Sequence, residues 1–187
     1  GDSVIDHVNS NYADYSAAIY SGAELTIEDA AGGAVGSLTA TGGDAKNSSG
    51  INSLDGVTIQ SGKITAYGGK ATYSGGIFSE YSINITGGEI SAFGGDADEY
   101  GRGFGIAAYY VTISGGNVTA GTLDNTHGIW GAIEGERVSG GIVYASGSDG
   151  GFCYATVSGG QITATGNTAA FQVGCEIDSN FTACVYA

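Results

Sequence analysis

The chain has 187 residues, enough for one domain with a real core, and carries 36 Gly, no Pro and no Met. Charged residues make up only 13% and hydrophobic ones 42%, which excludes a chain kept disordered by charge; glycine without proline excludes collagen and proline-rich linkers. A net charge of −14, from 19 acids against 5 bases, excludes phosphate-tracking partners such as nucleic acid, and no apolar run is long enough to span a membrane.

Along the chain, residues 1–17 hold Val4, Ile5, Val8, Tyr12 and Tyr15 and are expected to form a cap or an irregular first coil. From residue 18 to 166 one phrase recurs. It is apolar-x-apolar, a glycine turn, then apolar-x-Ala, often followed by a second Gly-Gly. Clear copies start at Val57 (VTIQSGKITAYGGKA), Ile83 (INITGGEISAFGGDA) and Val111 (VTISGGNVTAGT). Weaker copies start at Leu25, Arg137 and Ala155.

A third apolar segment precedes each phrase. Its marker is a small residue and then a large one: Ala18-Ile19, Gly50-Ile51, Gly76-Ile77, Gly105-Ile106, Gly128-Ile129 and Gly151-Phe152. Successive markers lie 32, 26, 29, 23 and 23 residues apart. Three short strands and three turns per repeat describe one coil of a three-sided solenoid. The fold expected is all-β: a single-domain parallel β-solenoid of about six to seven coils, with a period of about 19–32 residues. Strand alternation points Val57, Ile59, Ile64 and Ala66 inward and Thr58, Gln60, Lys63 and Thr65 outward. An antiparallel sandwich would place Asp-Gly turns inside strand pairs; Asp55-Gly56 and Asp149-Gly150 instead precede the repeat phrases.

Aligned phrases give outward rows. One is Thr39, Thr65, Ser91, Thr119 and Thr163; another is Thr26, Thr58, Asn84, Thr112 and Thr156. A third, Ser37, Lys63, Glu89, Asn117 and Gln161, sets Lys63 beside Glu89. Asp44, Lys70 and Asp96 alternate in sign at the second glycine turn. The row Thr41, Tyr67, Phe93, Gly121, Thr165 sets Tyr67 and Phe93 side by side, a contact face for sugar rings or for protein.

Catalytic signals are absent from the pattern. Two arginines, three lysines and two histidines show no acid–base or nucleophile spacing, so no enzyme is expected. Asp96, Asp98 and Glu99 share one turn and form the single weak candidate for a cofactor, a Ca²⁺ site; as a solvated acidic turn they need none. Sequons stand at Asn47, Asn84, Asn117 and Asn180.

Residues 167–187 form an alternating apolar edge. All three cysteines, Cys153, Cys175 and Cys184, gather in the last 35 residues. An odd count leaves a thiol free or paired with another molecule; alternatively all three are buried as small hydrophobes. The absence of Met and the sparse acidic surface lead us to expect a secreted chain, mature after signal removal or an excised fragment, at the cell surface or beyond it.

The phrases ITGGEISAFGGDA and VTISGGNVTA resemble repeats of prokaryotic cell-surface proteins, including polysaccharide-lyase-like β-helices that bind carbohydrate. The composition and the cysteines resemble sheath or surface-coat subunits of methanogenic archaea. The second resemblance implies a self-assembling structural subunit, its sheet edges locked by disulfides, with copies of itself as partner. The first implies a carbohydrate-binding or adhesive module with polysaccharide as partner.

Overall fold

The computed structural model describes residues 3–6, 14–29, 35–121, 127–147, 150–153, 156–166, 169–171, 176–177 and 184–186; side chains are described at 14–29, 35–96, 102–121, 137–147 and 159–165. Among these residues the protein is all-β and every strand pairing is parallel. The chain winds as a three-sided β-solenoid, as the repeat phrase predicts.

In chain order the strands are β1 (Ser3–Asp6), β2 (Tyr15–Ser21), β3 (Leu25–Ile27), β4 (Ser37–Thr41), β5 (Asn47–Ser53) and β6 (Gly56–Ile59). There follow β7 (Lys63–Tyr67), β8 (Ala71–Ser79), β9 (Ser82–Ile85), β10 (Glu89–Phe93), β11 (Ala97–Ile113) and β12 (Asn117–Ala120). The last are β13 (His127–Gly147), β14 (Gly150–Cys153), β15 (Thr156–Gly166), β16 (Ala169–Phe171), β17 (Glu176–Ile177) and β18 (Cys184–Tyr186). Strands β11, β13 and β15 run through corners and serve more than one face, where the sequence predicts separate short strands.

Each face is a column of equivalent segments. The first face stacks β1, β4, β7, β10, β12, the end of β13, the end of β15 and β18. Its inward rows are Leu38, Ile64, Ile90, Val118, Val143, Ile162 and Ala40, Ala66, Ala92, Ala120, Ala145, Ala164. The second face carries the marker row, Ile19, Ile51, Ile77, Ile106, Ile129, Phe152, with Phe171 as a seventh rung. The third face stacks Val57, Ile83, Val111 and Ile59, Ile85, Ile113, Val138. Ile51, Ile77 and Ile106 are fully buried, and burying each such side chain contributes about 1.5–3 kcal/mol. The N-terminal β1 lies in register under β4, so part of the predicted cap is a strand of the first face.

Corners decide where glycine sits. Between the third and first faces Gly62, Gly88, Gly116, Gly141 and Gly160 all have φ between +84° and +95°, a left-handed turn repeated coil after coil. The marker glycines have a different reason. A Cβ on Gly50 would sit 2.7 Å from the carbonyl oxygen of Ala40 and the backbone nitrogen of Tyr67. A Cβ on Gly76 would likewise meet the backbone of Ala92 and Gly105, both at 2.7 Å. Here the first-face backbone passes directly over the second face, and only a bare Cα fits.

Serine hydroxyls tie the other two corners. Ser16, Ser48 and Ser74 stack in register and are almost fully buried. Their Oγ atoms accept the N–H of Gly43 (2.9 Å), Gly69 (2.7 Å) and Gly95 (2.7 Å), each in a glycine turn of the first-to-second corner. Ser74 Oγ also donates to the Gly69 carbonyl at 2.8 Å, so one hydroxyl joins the turns of two successive coils. At the second-to-third corner buried Ser53 accepts the N–H of Gly56 (3.2 Å) and donates to the Ala23 carbonyl (2.8 Å).

The neighbours Gly75 and Gly76 offer an internal comparison. Gly76→Ala forces a methyl into backbone and is expected to cost about 2 kcal/mol or more. Gly75→Ala, whose Cβ meets nothing closer than 3.6 Å, should change stability by less than about 0.5 kcal/mol. Ser74→Ala leaves a half-buried N–H and C=O without their partner and should cost about 1–2 kcal/mol. Urea unfolding midpoints at constant slope measure all three.

Candidate functional site

Outward positions are where a solenoid can act, because the interior is filled by aliphatic ladders. On the first face the last outward residue before the Gly-Gly turn is Tyr67 in β7 and Phe93 in β10. Register sets them one above the other, and their rings stack at 5.6 Å between centroids and 24° between planes. Tyr67 is 40% exposed. At the second-to-third corner Tyr81 and Tyr110 meet edge to face at 5.3 Å and 72°. Both geometries are favourable for aromatic pairs.

The predicted cross-coil ion pair forms: Lys63 Nζ lies 3.1 Å from Glu89 Oε1, with both side chains more than half exposed. Asp44 behaves differently from the predicted charge row. Its carboxylate accepts the backbone N–H of Lys70 at 2.9 Å, so it shapes the turn of the next coil. The outward rows also contain a rung missing from the sequence alignment. Tyr144 stands between Thr119 and Thr163, Ile142 between Asn117 and Gln161, Arg137 between Thr112 and Thr156, and Ser146 precedes Thr165. Tyr144 and Ile142 are exposed, so this rung adds apolar surface where hydroxyls and amides were expected.

The metal candidate is only partly visible. Asp96 is exposed at the turn before β11, while the side chains of Asp98 and Glu99 lie outside the described residues. Asp98 and Glu99 thus fall at the start of β11 and not in the turn, and between Ala97 and Arg102 the register slips against Ala71 and Tyr73, so the strand bulges there. No three His, Cys, Asp or Glu side chains converge among the described residues. Cysteine side chains also lie outside them, as does the whole of Cys175. The backbone of Cys153 pairs with Trp130 on the second face, and that of Cys184 with Thr163 on the first. Asn117 is exposed, Asn84 is half-buried, Asn47 donates from Nδ2 to the Asp14 carbonyl at 3.0 Å, and Asn180 lies outside the described residues.

Sequence reasoning missed a groove on the second face. It has a volume of about 200 Å³ and lies among Tyr15, Asn52, Tyr73, Gly75, Phe78 and Phe104. Counting from the marker isoleucine finds its walls. Four residues before it stand Tyr15, Asn47, Tyr73 and Arg102; two before, Ala17, Ser49, Gly75 and Phe104; one after, Tyr20, Asn52, Phe78 and Ala107; all but Arg102, Ala17, Tyr20 and Ala107 line the groove. A smaller cleft of about 140 Å³ borders the long turn after β3. There Asp29 Oδ1 accepts the Gly36 N–H (2.8 Å) and Asp29 N–H donates to Ser61 Oγ (2.6 Å), closing the turn onto the next coil.

No family model, no curated protein and no solved structure matches this chain. Among the described residues no helix is long and apolar enough to cross a membrane.

Because Lys63 and Glu89 are exposed, their pair should contribute no more than about 1 kcal/mol. A double-mutant cycle with Lys63→Gln and Glu89→Gln, read by thermal denaturation, is expected to return a coupling in that range that shrinks at high salt.

Proposed function

We propose that the protein is an extracellular, non-catalytic structural subunit that assembles with copies of itself into a sheath, filament or surface layer. The observation that supports this reading is the apolar surface left over once the core is filled. Tyr15, Tyr20 and Tyr73 on the second face, Tyr67 and Tyr144 on the first, and Tyr81 at the second-to-third corner are all exposed. Tyr15, Tyr20 and Tyr73 share the second face, and clustered exposed apolar surface of that kind marks an interface. Tyrosine suits such contacts because a rigid ring buries large area while its hydroxyl stays hydrogen-bonded. Parallel edges and disulfides through Cys153, Cys175 and Cys184 would complete the joints.

Charge sets the conditions. A net charge of −14 makes copies repel at low ionic strength. Screening shortens that repulsion from about 30 Å at 0.01 M salt to about 3 Å at 1 M. Assembly should therefore grow with added salt.

A second reading, a carbohydrate-binding or adhesive module, is favoured by the aromatic groove on the second face.

Electron microscopy of purified protein across a salt series, with a non-reducing gel beside it, tests the first reading. Expected are filaments or sheets that increase with salt, and an oligomer ladder that collapses with thiol. Tyr67→Ser combined with Phe93→Ser should reduce assembly several-fold while leaving the fold intact, because both rings point outward. Monodisperse monomers indifferent to salt and reductant would rule the reading out.

A further inference from the structure

Two features of the groove on the second face have no role in folding. The first is Gly75. Most described glycines of the solenoid are required by a left-handed φ or by backbone passing within 3 Å; Gly75, like Gly22, Gly36 and Gly56, has neither, and it alone of these borders the groove. A Cβ there would find Phe78 Cβ at 3.6 Å and Ser49 Oγ at 3.7 Å, ordinary contact distances. The position accepts a side chain and lacks one, and that leaves the hollow between Ser49 and Phe104 on the adjoining rungs. The second is Asn52, whose Oδ1 is buried with no hydrogen-bond partner. An orphaned amide oxygen destabilises the fold unless something supplies a donor.

The surroundings define that donor. Asn52 stands in register between Tyr20 and Phe78, and Tyr15 (70% exposed) and Tyr73 (50% exposed) border the hollow from the other side. Glu80 lies at its edge as a second acceptor. Aromatic walls with acceptors between them suit a ligand that has an apolar ring face and a rim of hydroxyl donors. A net charge of −14 disfavours anionic glycans. A volume of about 200 Å³ is suited to one ring, and an open groove allows that ring to belong to a longer chain. We infer that the groove binds one pyranose unit of a neutral polysaccharide, with Asn52 Oδ1 accepting a sugar hydroxyl. This deepens the carbohydrate-binding reading and rests on it; a sugar held there would cover Tyr15 and Tyr73, which the assembly reading also uses.

The test uses the full chain in low salt and a panel of neutral oligosaccharides, namely gluco-, manno- and galacto-hexaoses, with hyaluronan as the anionic control. Binding is followed by calorimetry and by chemical shifts of the Gly75 amide and the Asn52 side-chain NH₂. At least one neutral hexaose should bind and shift both signals, and hyaluronan should not. Gly75→Ala, which narrows the hollow without disturbing the backbone, should weaken binding about tenfold or more. Lys63→Gln combined with Glu89→Gln, on the first face, should leave it unchanged. Asn52→Leu should abolish binding and raise the melting temperature by about 2–4 °C, because an unpaired buried amide is replaced by an apolar group of similar shape. A fall in melting temperature would make Asn52 a structural residue and overturn its assignment. If neutral sugars bind and Gly75→Ala has no effect, the groove is wrong and the carbohydrate reading survives. If no hexaose binds at millimolar concentration, both fall.

Discussion

Rung-to-rung hydrogen bonding in parallel register is the constraint on which everything else depends. Neighbouring strands sit about 4.8 Å apart, so each side chain must share its space with the equivalent one above and below. Inside the rod this demands shapes that stack on themselves, and the Ile51, Ile77, Ile106 row and the Ala40 to Ala164 row answer that demand. At the corners it demands backbone that can pass over backbone. Gly50 and Gly76 satisfy it by having no Cβ, and Ser48 and Ser74 by offering a hydroxyl to glycine N–H groups that the ladder leaves unpaired. A repeat that supplies these residues in order needs no other instruction to coil.

The same spacing shapes the surface. Identical charges stacked at this distance repel, so strands carry Thr, Ser and Asn in their outward rows, and the one charged row described in full alternates Lys63 with Glu89. Several acids are displaced into turns, where Asp44 and Asp29 accept backbone N–H groups of later residues. Their negative charge then serves turn geometry and solubility together. Arg102 and Arg137 apart, most of what remains on the faces is uncharged or aromatic, and Tyr67 over Phe93 shows the ladder rule acting on rings. A rod of this kind offers contact surface in rows along its axis.

Much of this architecture is legible in the sequence because a repeat reports its own register. The marker isoleucines, the inward Val57, Ile59, Ile64 and Ala66, and the Lys63–Glu89 pair all follow from aligning the phrases. The alignment loses a rung where the phrase from Arg137 is short and β13 runs unbroken through its corners. There the register slips by two residues, Ala108 to Tyr110 pairing with Gly131 to Gly135, and the same slip brings Glu136 into register with Val111, in the row of Val57 and Ile83. No composition rule announces a bulge of that kind. The second-face groove escaped for another reason. Its rows mix Tyr, Asn, Gly, Phe and Arg, which share no hydropathy, so they look like noise beside the isoleucine they flank. The marker already fixes their register, and counting four back, two back and one forward would have exposed them.

Where a ladder breaks its own rule is therefore more informative than where it obeys. Tyr20, Asn52 and Phe78 place an amide between two aromatic rungs, and Ser49, Gly75 and Phe104 place an empty position between two filled ones. Either break alone reads as drift in a tolerant surface row. Together they adjoin the same hollow, one leaving space and the other leaving an acceptor facing no donor. Stacking energetics favour removing both: a larger residue at 75 would bury apolar area, and an aliphatic residue at 52 would end the polar debt. Both changes would narrow the groove. That the two breaks coincide in space, beside a marker row of stacked isoleucines, is the physical case for a ligand there.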